Sequence, residues 1–132
     1  MTGATGMIGT ALIEKCLNKG IKVTAVVRPQ SQNIGRLSLK SEFLNIVECD
    51  ISEYKKLPGL ITKEADTFYH FAWSFSGRDR NESIKQQYEN IGYTLDAIDV
   101  AKELGCRKFI GAGSQAEYGY LGTTLINEET PA

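Results

Sequence analysis

Apolar residues recur along this chain in two rhythms, helical and strand-like, and the rhythm changes at turn residues. Over residues 7–19, Ile8, Leu12 and Cys16 recur at helical spacing with Ala11, Ile13 and Leu17 beside them, which predicts a helix lying on a sheet and closed by Gly20. Residues 22–28 are β-branched and almost unbroken in apolar character, as for a strand buried on both faces, and Pro29 stops it. The polar stretch 30–36 reads as a loop, a short helix is expected around 38–44, and 45–49 is a second strand ending at Asp50. Residues 53–64 have helical character that Pro58 and Gly59 interrupt. Residues 66–73, short and rich in aromatics, predict a third strand, with a loop over 74–81 at its exit. Ser83 and Gln86 have the spacing of a capping box, and Ile84, Tyr88, Ile91, Leu95, Ile98 and Ala101 then form one stripe of a long helix closed by Gly105. Residues 107–113 are a fourth strand running out into Ser114. Helices alternating with buried strands predict an α/β fold, a doubly wound parallel sheet in a single domain spanning residues 1–132.

Composition narrows the function classes. The formal charge is -1 and the basic residues are spread, so the basic patch of a nucleic-acid binder is absent and no polyanion partner is expected. Cys16, Cys49 and Cys106 are odd in number, far apart and set in apolar runs, which reads as buried thiols of a reducing, cytoplasmic compartment. With one histidine, His70, and no Cys-x-x-Cys, no metal site is expected. No apolar run approaches membrane-spanning length and no basic-then-apolar leader opens the chain, so no membrane association is expected.

The chemistry concentrates at the start, where Gly3, Gly6 and Gly9 stand at the turn into the first helix. Gly3 allows a tight turn, Gly6 lets backbone approach a pyrophosphate, and Gly9 lets the helix pack closely, while the helix start offers N–H groups and its positive dipole end to an anion. Such a turn follows a buried strand, yet only Met1 and Thr2 precede it. Most of the first strand is therefore lacking, to be supplied by sequence ahead of Met1 or by another segment, including one from a second molecule. Exposed strand edges would then favour pairing with another copy, and a homo-oligomer is expected. Arg28 stands about 20 residues past the turn, where such sites read the adenosine ribose. A guanidinium there binds a 2′-phosphate, which favours NADP over NAD; the alternative is a solvated arginine at a strand end.

Four segments in order resemble the extended short-chain dehydrogenase/reductase family of nucleotide-sugar epimerases, dehydratases and ketoreductases. They are Thr2-Gly3-Ala4-Thr5-Gly6-Met7-Ile8-Gly9, Asp50-Ile51, His70-Phe71-Ala72, and Gly113-Ser114-Gln115-Ala116-Glu117-Tyr118-Gly119. The resemblance implies a Rossmann-like fold and a dinucleotide held by Gly3, Thr5, Gly6, Met7, Ile8 and Gly9. Asp50 with Ile51 would meet the adenine, Phe71, Ala72 and Trp73 would offer backbone to the cofactor, and Asn90 would prop the site. Without the resemblance, Asp50 is equally a helix cap, His70 a packed strand histidine and Asn90 a solvent-facing residue.

Ser114 is the catalytic candidate by the same resemblance, a hydroxyl that bonds the substrate oxygen while a tyrosine of a Tyr-x-x-x-Lys motif moves the proton. Gln115 and Tyr118 would contact a nucleotide-sugar substrate. The motif itself is expected beyond Ala132, so these 132 residues alone are expected to be inactive. Gln115-Ala116 replaces the Asp-Glu pair of the family's sugar dehydratases, which leaves epimerisation or ketoreduction. A non-catalytic cofactor-binding or sensing module, or a decayed gene, is the rival reading.

Overall fold

Two pairs of parallel strands are joined, in the computed structural model, by the first two residues of the chain. The structure describes residues 1–37, 41–62, 64–75, 84–119, 122 and 125–131, with the side chains of Gln115 and Ala116 outside the description. Strand β1 (Val23–Val27) pairs with β2 (Leu44–Glu48), and β3 (Thr67–His70) pairs with β4 (Lys108–Gly111), all in parallel. Between the pairs, Val26 N–H donates to Met1 O at 2.8 Å and Thr2 N–H donates to Tyr69 O at 2.9 Å, and Thr2 forms a parallel bridge with His70. The spatial order is therefore β2, β1, Met1–Thr2, β3, β4, the arrangement of a doubly wound sheet at its carboxyl edge. Towards the amino ends of the same strands, β1 and β3 are separated by an open slot of about 590 Å³ between Thr24 and Tyr69.

The two faces of the sheet follow from strand alternation. Val23, Ala25 and Val27 of β1 point to one core, where they meet Ala4, Ile13 of helix α1 (Met7–Leu17) and Leu37. Val26 points the other way and joins Phe68, Tyr54, Leu57 and the helix α3 (Ile84–Glu103) residues Ala97, Val100 and Ala101. Both long helices end in glycines with positive φ, Gly20 at 68° and Gly105 at 74°. Ile21 N–H returns to Cys16 O at 3.0 Å and Cys106 N–H to Ala101 O at 2.9 Å, so each end closes by the same long-range turn.

Some expectations shift, and others fall outside the described residues. The segment after Asp50 is a 3-10 helix (Ile51–Lys56) running into a single turn, α2 (Leu57–Leu60), because Pro58 is tolerated near a helix start. Of the helix expected around 38–44, residues 38–40 lie outside the description, and Leu44 already belongs to β2. The capping box with Ser83 also lies outside the described residues, as do 76–81 of the expected loop.

The largest shift concerns α3. Ile84, Tyr88, Ile91 and Leu95, expected to face the core, are 87%, 72%, 53% and 57% exposed. The buried face carries Asn90, Ala97 and Val100 instead, and of the expected stripe Ala101 is buried with them. Small residues let the helix axis approach the sheet, and this proximity outweighs the larger but outward stripe. On α1, likewise, Gly9 and Ile13 are buried while Ile8 is more than half exposed.

Glycine substitutions separate strain from mere freedom. A Cβ on Gly92 of α3 meets nothing within 4 Å, and Gly92→Ala is expected to stabilise the protein by about 0.8 kcal/mol. A Cβ on Gly9 would fall on Gly3 O and 2.9 Å from Ala4 Cα, so Gly9→Ala is expected to cost about 2 kcal/mol. Urea unfolding of the two variants tests the opposite signs.

Candidate functional site

The glycine turn is shaped by what it must avoid. Gly3 has φ 66°, and a Cβ there would lie 2.5 Å from Phe71 C and 2.7 Å from Ala72 N, so the turn and the exit of β3 touch backbone to backbone. Gly9 closes against Gly3 and Ala4, which places its tight contact within the turn rather than on the sheet. Gly6 N–H bonds to Gly3 O at 3.0 Å, and Gly6 is the N-cap of α1 without a side-chain cap. The leading N–H groups of an 11-residue helix are thus left for another acceptor.

This turn forms one wall of a cleft of about 590 Å³ at the carboxyl edge of the sheet. Gly3, Thr5, Gly6, Arg28, Asp50 and Ile51 line it on one side, and Phe71, Ala72 and Trp73 on the other. Nine of the residues expected at a dinucleotide thus come together from four separate segments. Met7, Ile8 and Gly9 stand beside the cleft in the first turn of α1 without lining it. Ser114 is exposed past the end of β4, Tyr118 is half-buried on the 3-10 helix Gln115–Tyr118, and neither lines the cleft; Gln115 opens that helix.

Several side chains carry more than one duty. Asp50 Oδ1 accepts from Ser52 N–H at 3.1 Å and from Ser52 Oγ at 2.7 Å, so it caps the 3-10 helix while also lining the cleft. Asn90 is 1% exposed, which overturns the solvent-facing alternative. Its Oδ1 accepts from Ser74 N–H at 2.8 Å, and its Nδ2 donates to Ser74 O at 3.1 Å and Gln86 O at 3.3 Å. Asn90 therefore grips the backbone of a lining residue instead of facing the cleft itself. Gln87 assists, accepting from Trp73 Nε1 at 2.9 Å and donating to Phe75 O at 3.0 Å.

Cys49, Tyr54, Ser74 and Phe75 are among the lining residues that escaped the sequence reading. Cys49 reads from the sequence as a buried thiol and Tyr54 carries no motif; both are buried in the structure and reach the cleft just after β2. Burial, with the Glu53 and Asp50 carboxylates, pushes the Cys49 thiol up, so it stays protonated rather than serving as a nucleophile. Arg36 was also missed; its Nη1 donates to Thr5 O at 3.3 Å, which sets a guanidinium against the glycine turn from outside the cleft lining. Among the described residues, no group of three or more His, Cys, Asp or Glu is placed to hold a metal ion. No helix among them is long and apolar enough to cross a membrane.

A parallel doubly wound sheet with a glycine turn opening on its carboxyl edge defines the class of nucleotide-binding Rossmann proteins. The whole chain, residues 1–132, matches the NAD dependent epimerase/dehydratase family, and it belongs to that family. A curated relative, dTDP-6-deoxy-L-talose 4-dehydrogenase (NAD(+)) of Aggregatibacter actinomycetemcomitans, is 28% identical over 131 residues, covering 99% of this chain and 46% of the relative. Among solved structures, a UDP-glucose 4-epimerase superposes with a TM-score of 0.78 at 26% identity, over 98% of this chain and 39% of that one. UDP-glucuronic acid 4-epimerase from Bacillus cereus, solved with UDP-glucuronic acid and NAD, has the same fold with a TM-score of 0.68 at 24% identity, over 98% of this chain and 44% of that one. The chain spans less than half the length of these relatives.

The buried histidine gives the site a pH signature. Burial, followed by the Met1 amino group, lowers the His70 pKa from 6.5, and the other groups packed on its ring, Tyr54, Thr94 and Phe109, are uncharged. As the pH falls below 6.5 the unfolded imidazole takes up a proton that the folded one refuses. Stability is then retained above that value and lost on acidification below it. Urea midpoints measured from about pH 7.5 to about pH 5 are expected to show this loss, and His70→Gln to reduce it, the remainder coming from the Met1 amino group, whose pKa burial lowers to about 6.

Proposed function

We propose that this chain is the cofactor-binding part of an NAD(P)-dependent nucleotide-sugar epimerase or ketoreductase. The observation that carries the reading is the cleft itself: a glycine turn and an uncapped helix start on one wall, Arg28 and Asp50 at one end, and the β3 exit opposite. A dinucleotide fits this donor set. Gly6 carries no side chain where the turn meets the cleft, and the free N–H groups of α1 suit a pyrophosphate. Gly3, Thr5, Gly6, Met7, Ile8 and Gly9 would hold that group. Asp50 and Ile51 would meet the adenine, and Phe71, Ala72 and Trp73 would line the nicotinamide end, with Asn90 holding Ser74 behind them.

A bound nicotinamide supplies the hydride chemistry that these relatives' names imply. The chain's own contribution is orientation. Ser114, with Gln115 and Tyr118 nearby in sequence, would orient a nucleotide-sugar oxygen, and proton transfer would need the Tyr-x-x-x-Lys pair that these 132 residues do not contain. On this reading the 132 residues bind cofactor without turning over substrate. Gln115-Ala116 sets dehydration aside, and a non-catalytic cofactor-binding module is the rival.

NADP over NAD is the finer part of the proposal. Arg28 lines the cleft and its guanidinium favours a 2′-phosphate, while Arg36 braces the glycine turn at Thr5. NAD, named for the relatives, is the alternative. In fluorescence titrations NADPH is expected to bind about tenfold more tightly than NADH, Arg28→Asp to reverse the order, and Gly6→Val to abolish both. Tighter NADH binding by the unaltered chain would refute the preference, and unaltered affinity in Gly6→Val would refute the site.

The proposal extends to a homo-oligomer. Ile84, Tyr88, Ile91 and Leu95 present an apolar row at helical spacing on the outside of α3, a surface that a second copy of the same helix would cover. Sedimentation equilibrium is expected to show a dimer or larger, and Ile91→Glu to dissociate it; a monomer before substitution contradicts this part.

A further inference from the structure

His70 has both ring nitrogens engaged inside the protein and lines no part of the cleft. Nδ1 lies 2.8 Å from Thr2 Oγ1, and Nε2 lies 3.4 Å from Thr94 Oγ1. The direction of each bond follows from counting protons. Thr94 has one hydroxyl proton, and it goes to Asn90 O at 2.9 Å. Thr94 Oγ1 is then the acceptor for Nε2–H. A neutral imidazole carrying its proton on Nε2 leaves Nδ1 as an acceptor, so the Thr2 hydroxyl donates. Burial favours that neutral form by lowering the histidine's proton affinity.

The bonds share one sense, from Thr2 through His70 and Thr94 to the backbone of Asn90. Their two ends are the two walls of the cleft. Thr2 is the residue immediately before Gly3 and is itself 0% exposed. Asn90 holds both backbone polar groups of Ser74 on the opposite wall. Two aromatic rings fix the imidazole between them, Tyr54 edge-on at 6.0 Å and Phe109 at 6.0 Å. Direct backbone contact sets the walls together at Gly3 and Phe71, and this relay carries the connection on to Ser74.

We propose that His70, as its Nε2–H tautomer, is a positioning residue that couples the glycine turn to the Ser74 wall through Thr2, Thr94 and Asn90. It acts on the cofactor only through these partners, and the link to cofactor affinity rests on the reading of the cleft given above. The coupling itself does not.

Nitrogen NMR of the full chain at neutral pH, with the imidazole signal assigned by its loss in His70→Gln, tests the tautomer. A protonated Nε2 with an unprotonated Nδ1 is expected; a protonated Nδ1 overturns the relay. Amide exchange then tests the coupling. Thr2→Val, on the glycine side, is expected to speed exchange of the Ser74 N–H roughly five- to tenfold, and Thr2→Ser to restore it because the hydroxyl returns. Unchanged Ser74 exchange in a folded Thr2→Val chain overturns the proposal. Should Thr2→Val fail to fold, Thr94→Val breaks the same relay at its other end, with faster Ser74 exchange expected and an unchanged rate decisive against it. Titration with NADH and NADPH runs alongside. Absence of binding by the unaltered chain would count against the cofactor reading alone, since tautomer and exchange are measured without ligand.

Discussion

The backbone contact between Gly3 and the exit of β3 governs the rest of this structure. A side chain on Gly3 would overlap Phe71 and Ala72, and its φ of 66° is one that other residues adopt only with strain. That approach lets Thr2 bridge to His70 and places the turn opposite Phe71, Ala72 and Trp73 across a single cleft. Had the turn stood a methyl group further off, the sheet would lose its central rung and the cleft one of its walls. Glycine at this point is a requirement of packing as much as of ligand approach.

Helix α3 supplies the second constraint. Its buried face is made of Asn90, Ala97, Val100 and Ala101, small or polar residues, because the helix lies close on β3 and on the 3-10 helix after Asp50. Asn90 at the top of that face is fully inside and hydrogen-bonded, so a polar residue in the core costs little and holds Ser74 in place. The same helix grips Trp73 and Phe75 through Gln87. One rigid element therefore shapes the wall of the cleft without lining it, which is how a segment with no regular structure of its own is kept in register.

At the other end of the cleft, Asp50 illustrates how one carboxylate serves fold and site together. Capping the 3-10 helix through Ser52 aims the carboxylate, and the bend it stabilises also turns Cys49 and Tyr54 towards the cavity. Family membership adds no geometry to this picture. It explains why glycine turn, aspartate, aromatic segment and serine occur in this order along the chain.

Order and class were legible in the residues alone. The alternation of helices and strands, the glycine closures at Gly20 and Gly105, and the turn at Gly3, Gly6 and Gly9 are local signals, written in spacing and in backbone freedom, and they determine a doubly wound parallel fold. Arg28 and Asp50 were legible as well, since their distance from a strand end places them at the carboxyl edge. What the sequence could not convey was which side of α3 faces inward. Apolar periodicity names a stripe, but the choice between Ile84-Tyr88-Ile91 and Asn90-Ala97-Val100 depends on how near the helix comes to the sheet. The hydrogen-bonded partners of His70, the grip of Asn90 on Ser74 and the reach of Arg36 to Thr5 were likewise decided only in three dimensions. Each joins residues from 16 to 68 positions apart, and no local rule carries information over that span.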